Sequence, residues 1–263
     1  MKFFLAPMQG LTGYTVRNAF HHHFDYIDKY YTPFIPAAKR MNAKIKRDID
    51  PVNNDGITLI PQAMSIVADE VIDLHRQLVP YGYDEINVNL GCPSGTVVSK
   101  KRGSGILAYP DMLDSFLDEL YTKADFPVSI KTRVGFNDDE LWPKLIEIYS
   151  KYPISELTVH PRVQKDFYKN TPRMDDFALA MQKINPDKTT LCYNGDITDT
   201  NSFNALTDCF PDIDEIMIGR GLFANPALIA ELKGISMDKA ELRERLKNWH
   251  DAVSYTHLRA HET

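Results

Sequence analysis

The sequence predicts an eight-stranded parallel (β/α) barrel, the TIM-barrel architecture, followed by a short C-terminal helical segment. Short apolar runs alternate with stretches of helical periodicity along the chain. Most of these runs are continuously apolar, which is typical of strands buried on both faces of a parallel sheet. The length of 263 residues is one that such barrels reach as a single domain.

Eight runs along the chain have the length and composition of strands. They are residues 2–6, 25–31, 57–62, 85–90, 128–132, 156–160, 189–193 and 215–218. The second run and the stretch that follows it are the least regular part of the pattern.

Helices are predicted where apolar residues recur at intervals of three and four. Such stripes are formed by Val67, Val71, Leu74 and Leu78, by Leu113, Phe116, Leu117 and Leu120, and by Leu141, Leu145, Ile148 and Tyr152. The barrel is complete by about Gly234, so we expect a catalytic barrel domain at residues 1–234. Residues 235–263 are expected to form a C-terminal segment, with one helix from Met237 to about Val253 and a tail at 254–263.

The composition argues against several classes of protein. No run of about 18 apolar residues is present, so we expect no membrane span. The first residues lack the charged and apolar regions of a signal peptide. The three cysteines, Cys92, Cys192 and Cys209, are widely spaced without a CxxC pair, so neither a disulfide framework nor a zinc site is expected. A reducing cytoplasm fits this cysteine usage best, and we expect a monomer.

The charge balance leaves the question of nucleic-acid binding open. A net charge of −6 and a pI of about 5.7 lack the basic footprint of most nucleic-acid-binding proteins. A local basic loop, Lys100, Lys101 and Arg102, stands against this balance. Taken alone, such a cluster is more often solvated loop charge than a binding site.

The predicted strand ends carry most of the polar side chains that could do chemistry. In this fold active sites form at the C-terminal ends of the strands. The residues expected there are Pro7, Met8, Gln62, Asn89, Cys92, Lys131, Arg133, His160, Arg162, Asn194, Asp196, Gly219 and Arg220. Any one of them could be structural, but their gathering at one rim predicts a functional site.

The last two of these loops favour a phosphorylated cofactor. Both are glycine-rich and lead into helices, and β/α barrels commonly hold phosphate after their seventh and eighth strands. Arg220 could add a forked charge to such a site. Each loop alone could be no more than a tight turn.

Lys131 and Cys92 suggest the chemistry. A lysine at a strand end is a Schiff-base amine or a cation that faces an anionic group, unless it points to solvent. Beside a phosphate site and Gln62, it suits a flavin, whose reduced ring is negatively charged. Cys92 lies in a stiff turn before Pro93, and with an ordinary pKa of about 8.5 its thiol suits a general acid better than a nucleophile. A buried cysteine acting as a small hydrophobic residue is the alternative, and we favour that interpretation for Cys192.

Seven segments together resemble one known family. They are Ala6-Pro7-Met8, Gln62-Ala63-Met64, Asn87-Val88-Asn89-Leu90-Gly91-Cys92-Pro93, Lys131-Thr132-Arg133, Val159-His160 with Arg162, Asn194-Gly195-Asp196 and Gly219-Arg220-Gly221. In this order they are similar to the motifs of tRNA-dihydrouridine synthases. The resemblance covers residues 2–234, and the Gly-Cys-Pro segment is its most specific part.

The resemblance implies FMN at the mouth of the barrel. Pro7 and Met8 would border the flavin ring, Gln62 and Lys131 would contact its polar edge, and His160 would lie near it. The ribityl chain and phosphate would be held by Asn194, Asp196, Gly219 and Arg220.

The resemblance also implies a reaction and a substrate. The family reduces the C5–C6 bond of uracil with electrons from NADPH, and Cys92 would supply the proton to C5 as general acid. The target uridine would be extruded from a folded tRNA. Asn89 and Cys92 would face this uridine, and we assign Arg133, Arg162, Lys100, Lys101 and Arg102 to substrate binding as well.

Members of the family carry a C-terminal helical domain that grips tRNA, and we expect only about one helix of it here. Two other functions remain open. An FMN barrel acting on a small molecule, as in dihydroorotate-dehydrogenase-like or old-yellow-enzyme-like oxidoreductases, is favoured by the acidic pI. The third possibility is a non-catalytic RNA-binding barrel, but the presence of Cys92 and Lys131 speaks against it.

Overall fold

The computed structural model describes residues 1–37 and 40–260 of the chain. Ten parallel strand segments form one sheet in the order β3-β5-β6-β7-β8-β9-β10-β1-β2-β4. Their bounds are β1 Lys2–Leu5, β2 Lys29–Tyr31, β3 Ile35–Pro36, β4 Leu59–Ile60, β5 Gln62–Met64, β6 Ile86–Leu90, β7 Val128–Gly135, β8 Glu156–Val163, β9 Thr190–Tyr193 and β10 Glu215–Ile218.

The chain itself closes this sheet into a barrel. β4 pairs with β2 and β5 pairs with β6, while only Pro61 separates β4 from β5. Proline has no N–H, so the ladder is interrupted there, although the Pro61 carbonyl still accepts a hydrogen bond of 2.9 Å from Asn87 N. Three residues, Thr32, Pro33 and Phe34, separate β2 from β3. With these two pairs each counted as one interrupted strand, the predicted eight-stranded parallel barrel is confirmed.

Helices lie between the strands and after the last one. The α-helices are α1 Tyr14–His23, α2 Ala43–Ile49, α3 Ala68–Leu78, α4 Gly95–Val98, α5 Pro110–Lys123, α6 Trp142–Tyr149, α7 Met174–Lys183, α8 Thr200–Cys209, α9 Arg220–Ala224, α10 Leu228–Leu232 and α11 Lys239–Ala260. Of the stripe predicted for α3, Val71, Leu74 and Leu78 are buried, whereas Val67 precedes the helix and is exposed.

The alternation of side chains along each strand separates two apolar cores. Phe3 and Leu5 of β1 join the large core between strands and helices, where Phe3 packs 6.0 Å from the Phe203 ring of α8. Phe4 points the other way and joins a smaller cluster in the barrel interior. That cluster consists of Phe4, Ala6, Tyr31, Ile60, Cys192 and Met217. Cys192 is fully buried there, in agreement with its predicted role as a small hydrophobic residue.

Two strands are longer than predicted. β7 continues to Gly135 and β8 to Val163, so Arg133 and Arg162 are strand residues rather than loop residues. The second strand is shorter than predicted and begins at Lys29.

The C-terminal helix packs on the barrel. Leu242, Leu246, Trp249 and Val253 contact the core, and the Trp249 ring lies 5.2 Å from that of Phe20 in α1. The predicted tail from residue 254 is wrong as far as Ala260, because α11 continues to that residue. Once a helix is nucleated and packed, each further residue adds a hydrogen bond at little cost, so an apolar stripe is not needed. Residues 261–263 lie outside the described part. No described helix is long and apolar enough to span a membrane.

Candidate active site

One cavity of about 520 Å³ opens at the C-terminal ends of the strands, a size usual for a cofactor site. Twelve of the predicted site residues line it. They are Pro7, Met8, Gln62, Asn89, Cys92, Lys131, Arg133, His160, Asn194, Asp196, Gly219 and Arg220. The lining also includes residues that were not predicted from the sequence as site residues, namely Gln9, Leu11, Phe34, Ser94, Phe167 and Tyr168.

Asn89 holds the loop that carries Cys92. Its side-chain oxygen accepts hydrogen bonds from the backbone N–H groups of Gly91 at 3.1 Å and Cys92 at 2.8 Å. Its Nδ2 donates to Gln62 Oε1 at 2.7 Å. Since the amide is almost fully buried, the orientation of this turn depends on strand β6 and not on solvent. Asn89 therefore positions the thiol besides facing the cavity.

The hydrogen-bonded chain continues below the cavity through two residues that were not predicted as site residues. Gln62 Nε2 donates to Asn87 Oδ1 at 2.7 Å, and Asn87 Nδ2 donates to Ser129 Oγ at 3.0 Å. One N–H of Gln62 then remains for a ligand. Alternation on β6 and β7 could have identified both, because Asn87 and Ser129 precede Asn89 and Lys131 by two positions and share their faces.

The Cys92 thiol is held in its protonated form. The residue is half-buried, and burial raises the pKa of the thiol above its ordinary value, although a hydrogen bond from the Ser94 backbone and the charges of Arg133 and Lys131 oppose the shift. The Cys92 carbonyl accepts hydrogen bonds from Ser104 Oγ at 2.8 Å and Ser104 N at 3.1 Å. A neutral thiol in a fixed loop suits the donation of a proton.

Lys131 is a half-buried amine without an anionic partner. Its Nζ donates to Asn194 Oδ1 at 2.6 Å, and Asn194 Nδ2 in turn donates to the Met217 carbonyl at 2.8 Å. Burial, assisted by Arg133, lowers the pKa of Lys131 to about 7. No carboxylate in the described part of the chain forms an ion pair with it. An anionic ligand in the cavity would raise this pKa and restore the charge.

His160 is neutral, and one hydrogen bond decides its tautomer. Burial lowers the pKa of the imidazole well below 6.5, and the surrounding cations Arg133, Lys131, Arg162 and Arg220 lower it further. His160 Nε2 lies 3.2 Å from Arg162 Nη1. A guanidinium can only donate, so Nε2 is the acceptor and the proton resides on Nδ1.

Arg162 and Arg220 share one carboxylate. Arg162 grips Asp196 through both terminal nitrogens, and Arg220 Nη2 donates to Asp196 Oδ1 at 2.6 Å. Burial alone would raise the pKa of Asp196, but these hydrogen bonds hold it below its ordinary value. Arg162 is 1% exposed and does not line the cavity, whereas the Arg220 side chain is half exposed beside it.

The basic loop lies outside the cavity lining. Arg102 forms a 3.0 Å ion pair with Glu70, and Lys101 Nζ lies 4.3 Å from the centre of the Tyr109 ring. Lys100 is exposed. These three residues can therefore contact a bound macromolecule only where that macromolecule extends beyond the cavity mouth.

Two aromatic residues after β8 reach the cavity mouth. The Tyr168 ring lies 4.9 Å from the Arg220 guanidinium carbon and 5.6 Å from that of Arg133. Phe167 precedes it and is 46% exposed. The sequence does not single out either residue as a site residue, because aromatic residues elsewhere in this chain belong to the core.

The charge of the lining suits an anionic group. Lys131, Arg133 and Arg220 contribute cations, while Asp196 is the one carboxylate among the lining residues. Because Asp196 already accepts from two arginines, it cannot neutralise the remaining cations.

Gly219 lies against two apolar residues of the cavity lining. A Cβ added at Gly219 would stand 3.4 Å from Ala6 Cβ and 3.6 Å from Met8 Sδ, so a side chain would fill the space that the glycine leaves beside them. A planar ring system with a polar edge and an anionic tail, such as a flavin nucleotide, fits these residues.

Comparison with known proteins agrees with this chemistry. The family model for dihydrouridine synthase matches residues 4–262. tRNA-dihydrouridine synthase B of Pasteurella multocida is 26% identical over 243 residues, or 89% of this chain and 69% of that protein. A probable tRNA-dihydrouridine synthase of Staphylococcus aureus is 34% identical over 154 residues, or 57% and 46% of the two chains. tRNA-dihydrouridine synthase B of Shigella flexneri is 30% identical over 192 residues, or 73% and 58%. The chain thus spans about half to two thirds of the length of these relatives.

Solved structures agree on the fold. A variant of NCR from Zymomonas mobilis superimposes with a TM-score of 0.60 at 12% identity, covering 94% of this chain and 90% of that chain. Morphinone reductase does so with a TM-score of 0.60 at 10% identity, covering 92% and 88%. At such identities the likeness establishes the barrel alone. The match of the family model over nearly the whole sequence shows that this chain belongs to the dihydrouridine synthase family, flavin-dependent oxidoreductases whose function is the reduction of uridine in tRNA to dihydrouridine.

Proposed function

We propose that this chain itself reduces uridines of tRNA to 5,6-dihydrouridine, with FMN as cofactor and NADPH as reductant. The observation that supports it best is a single cavity that combines a protonated, half-buried thiol at Cys92 with a half-buried amine at Lys131 that has no carboxylate partner among the described residues. A reductase of a polarised carbon–carbon double bond needs a proton donor and a site for an anionic cofactor, and this cavity offers both.

Separate groups of residues would hold the parts of the flavin nucleotide. Pro7 and Met8 would border the ring, and Lys131 with the free N–H of Gln62 would contact its polar edge. Among the residues predicted for the ribityl phosphate, Asp196 can only accept hydrogen bonds, so it would bind hydroxyl groups. The phosphate would then fall to Arg220 and the backbone at Gly219. When bound, the flavin supplies the hydride that C6 of the uracil receives.

The protein supplies the second hydrogen. Cys92 donates the proton from Sγ to C5, so the C5–C6 double bond becomes a single bond and the thiol becomes a thiolate. Solvent then reprotonates the thiolate, since the ordinary pKa of a cysteine lies above neutral pH. Asn89 keeps the loop in place during this transfer through its bonds to Gly91 N and Cys92 N.

The proposal extends to the form of the substrate, the oligomeric state and the cellular compartment. The target base must leave its stack to reach a cavity at the end of a barrel, so we propose an extruded uridine of a folded tRNA as the substrate. We also propose a monomer as the working unit. The absence of disulfides among Cys92, Cys192 and Cys209 fits the cytoplasm.

The test is a reconstitution with purified protein. The protein would be loaded with FMN, whose visible spectrum reports binding, and supplied with NADPH and unmodified tRNA transcripts. We expect mass spectrometry of the digested tRNA to show uridines that have gained two hydrogens. Oxidation of NADPH with an artificial acceptor, but no dihydrouridine in any transcript, would instead indicate a flavin reductase with another substrate.

A further inference from the structure

Phe167 adopts a backbone conformation that a side chain disfavours. Its φ of 52° and ψ of −94° place it at the second position of a turn, which Lys169 N closes by donating to the Asp166 carbonyl at 2.9 Å. These angles resemble those of a type II′ turn, where glycine is favoured because it has no Cβ. A phenylalanine at this position costs on the order of 1–3 kcal/mol of strain.

The surrounding contacts hold the turn in this conformation. Arg133 Nη2 donates to the Phe167 carbonyl at 2.8 Å. Asp166, which begins the turn, is 6% exposed, accepts from Val163 N at 3.1 Å and pairs with Arg173. Gln164 Nε2 donates to the Pro93 carbonyl at 2.9 Å, next to Cys92. The ring is therefore presented by a rigid support that is fastened to strand β7 and to the loop of the proton donor.

The ring of Phe167 has free faces at the cavity mouth. It lines the cavity yet is 46% exposed. In the described part of the chain no aromatic ring or cation stacks on it, whereas the neighbouring Tyr168 lies between the guanidinium groups of Arg133 and Arg220. The ring belongs to neither apolar core, and strained backbone of this kind is concentrated at sites of ligand contact.

We propose that Phe167 is a stacking platform for the nucleobase next to the target uridine. The inference rests on the proposed function, since it assumes that the cavity receives one base of an RNA. When one base enters the cavity, its neighbours stay at the mouth, where the Phe167 ring lies. An unpaired ring beside two arginines matches a polymer of flat bases joined by anionic phosphates. Phe167 then helps to hold the RNA strand whatever the base sequence of the RNA, because every base has a π face.

The test uses the flavin-loaded protein and three variants of one residue. Phe167→Gly removes the ring and relieves the strain, Phe167→Leu keeps apolar bulk and strain without a π face, and Phe167→Tyr keeps the face. The dissociation constant for unmodified tRNA transcripts would be measured at two salt concentrations, together with the melting temperature. We expect the Gly and Leu variants to bind tRNA roughly 5- to 150-fold more weakly, the effect of losing one stacked base. The Tyr variant should bind as the parent does.

Two further readouts separate stacking from other roles. The Gly variant should melt at the same or a higher temperature while it loses affinity, a combination that a structural role of the ring would not produce. The slope of affinity against salt should not change, because stacking releases no counterions. Gly and Leu variants with the affinity of the parent would overturn the proposal. So would a parallel loss of FMN affinity, which would show that the ring covers the cofactor. A parent protein that binds tRNA without reducing it would refute the proposed function, but the affinities of the variants would still decide the role of Phe167.

Discussion

At the residue scale, Cys92 and Lys131 face one cavity, and burial acts on them in opposite directions. It raises the pKa of the thiol and lowers that of the ammonium, because in both cases the low dielectric disfavours the charged form. The thiol thereby keeps the proton it is proposed to donate. The lysine comes close to neutrality until an anionic ligand enters.

Replacing Cys92 by alanine should separate the two halves of the proposed reaction. We expect Cys92→Ala to bind FMN and oxidise NADPH like the parent, while uridine reduction slows by about 100- to 10,000-fold, the usual contribution of one general acid. Rapid single-turnover measurements with reduced protein and tRNA would show this. In the parent, the rate should not fall as the pH rises through the ordinary cysteine pKa of about 8.5, because the folded thiol titrates at higher pH. Equal rates in parent and variant would exclude the thiol from the mechanism.

The low pKa of Lys131 predicts a pH-dependent stability of the flavin-free protein. With a folded pKa of about 7 and an unfolded pKa of about 10.4, the unfolded chain binds more protons between these values. Stability should therefore rise with pH in that window, by about 1 kcal/mol per pH unit from this group. The free energy of unfolding of Lys131→Met should lack this increase with pH. Between pH 7 and pH 9 the parent should therefore gain stability relative to the variant. Urea denaturation at three pH values would measure it, and parallel curves for the two proteins would contradict it.

Arg220 allows a test of the proposed phosphate site with two ligands. Arg220→Ala should weaken FMN binding by about 10- to 150-fold, since a charged hydrogen bond is worth roughly 1.5–3 kcal/mol. Binding of riboflavin, which lacks the phosphate, should change little. Fluorescence titration with both flavins would check this, and an equal loss for both would place Arg220 elsewhere on the cofactor.

At the scale of the elements, the loop after β1 depends on one buried arginine. Arg17 of α1 is fully buried and donates to the Thr12 carbonyl at 2.7 Å. It also donates to the carbonyl of Asp48 in α2 at 2.6 Å and to Oδ1 of Asn54, which follows α2, at 2.9 Å. Thr12 in turn accepts from Met8 N at 2.9 Å. The wall of the cavity that Met8 forms is thus tied to α1, to α2 and to the segment after α2.

Arg17→Met should loosen this wall. Removing Arg17 leaves Asn54 Oδ1 and the partly exposed Asp48 Oδ2 without their donor and should cost about 1–3 kcal/mol in the free energy of unfolding. FMN affinity should fall as well, and Arg17→Lys, which keeps the charge with fewer donors, should lie between. Denaturation and fluorescence titrations would measure both effects. A destabilised Met variant with unchanged FMN affinity would show that the loop holds its place without Arg17.

At the scale of the whole molecule, a net charge of −6 contrasts with a cation-rich cavity. Negative charge elsewhere on the surface repels RNA, so its attraction depends on a few basic residues near the mouth. We expect tRNA affinity to fall steeply with salt, with a slope of about 0.7–0.9 per neutralised phosphate.

The basic loop gives this prediction a local test. If Lys100 and Lys101 reach the tRNA beyond the cavity, then the Lys100→Ala and Lys101→Ala variants should each lower the salt slope by about 1. Lys188→Ala is the matched control, because Lys188 is exposed just before β9 at the opposite end of the barrel. Affinity measurements at several salt concentrations would show the slopes. Loop variants that resemble the control would assign the loop charges to solvent.

The apolar pattern of the sequence was enough to predict the barrel and most of its cavity lining. Continuous apolar runs that alternate with helical stretches are typical of a parallel sheet, and closing such a sheet brings the carboxyl ends of all strands to one rim. Polar residues such as Lys131 and Asn194 therefore had to meet, although they are far apart in the chain. Strand ends were less predictable, because Arg133 and Arg162 continue their strands through hydrogen bonds that periodicity does not encode.

Only the tertiary structure decided how these groups are charged and which ones are free. Protonation depends on burial and on neighbours from other strands, as with His160 beside Arg162 and Lys131 without a carboxylate. Arg162, predicted to bind substrate, is occupied by Asp196, and Phe167 is fixed in place by Arg133 from β7. Local sequence determines where a side chain lies along a strand, but its pKa and its partners are set by contacts between elements distant in sequence.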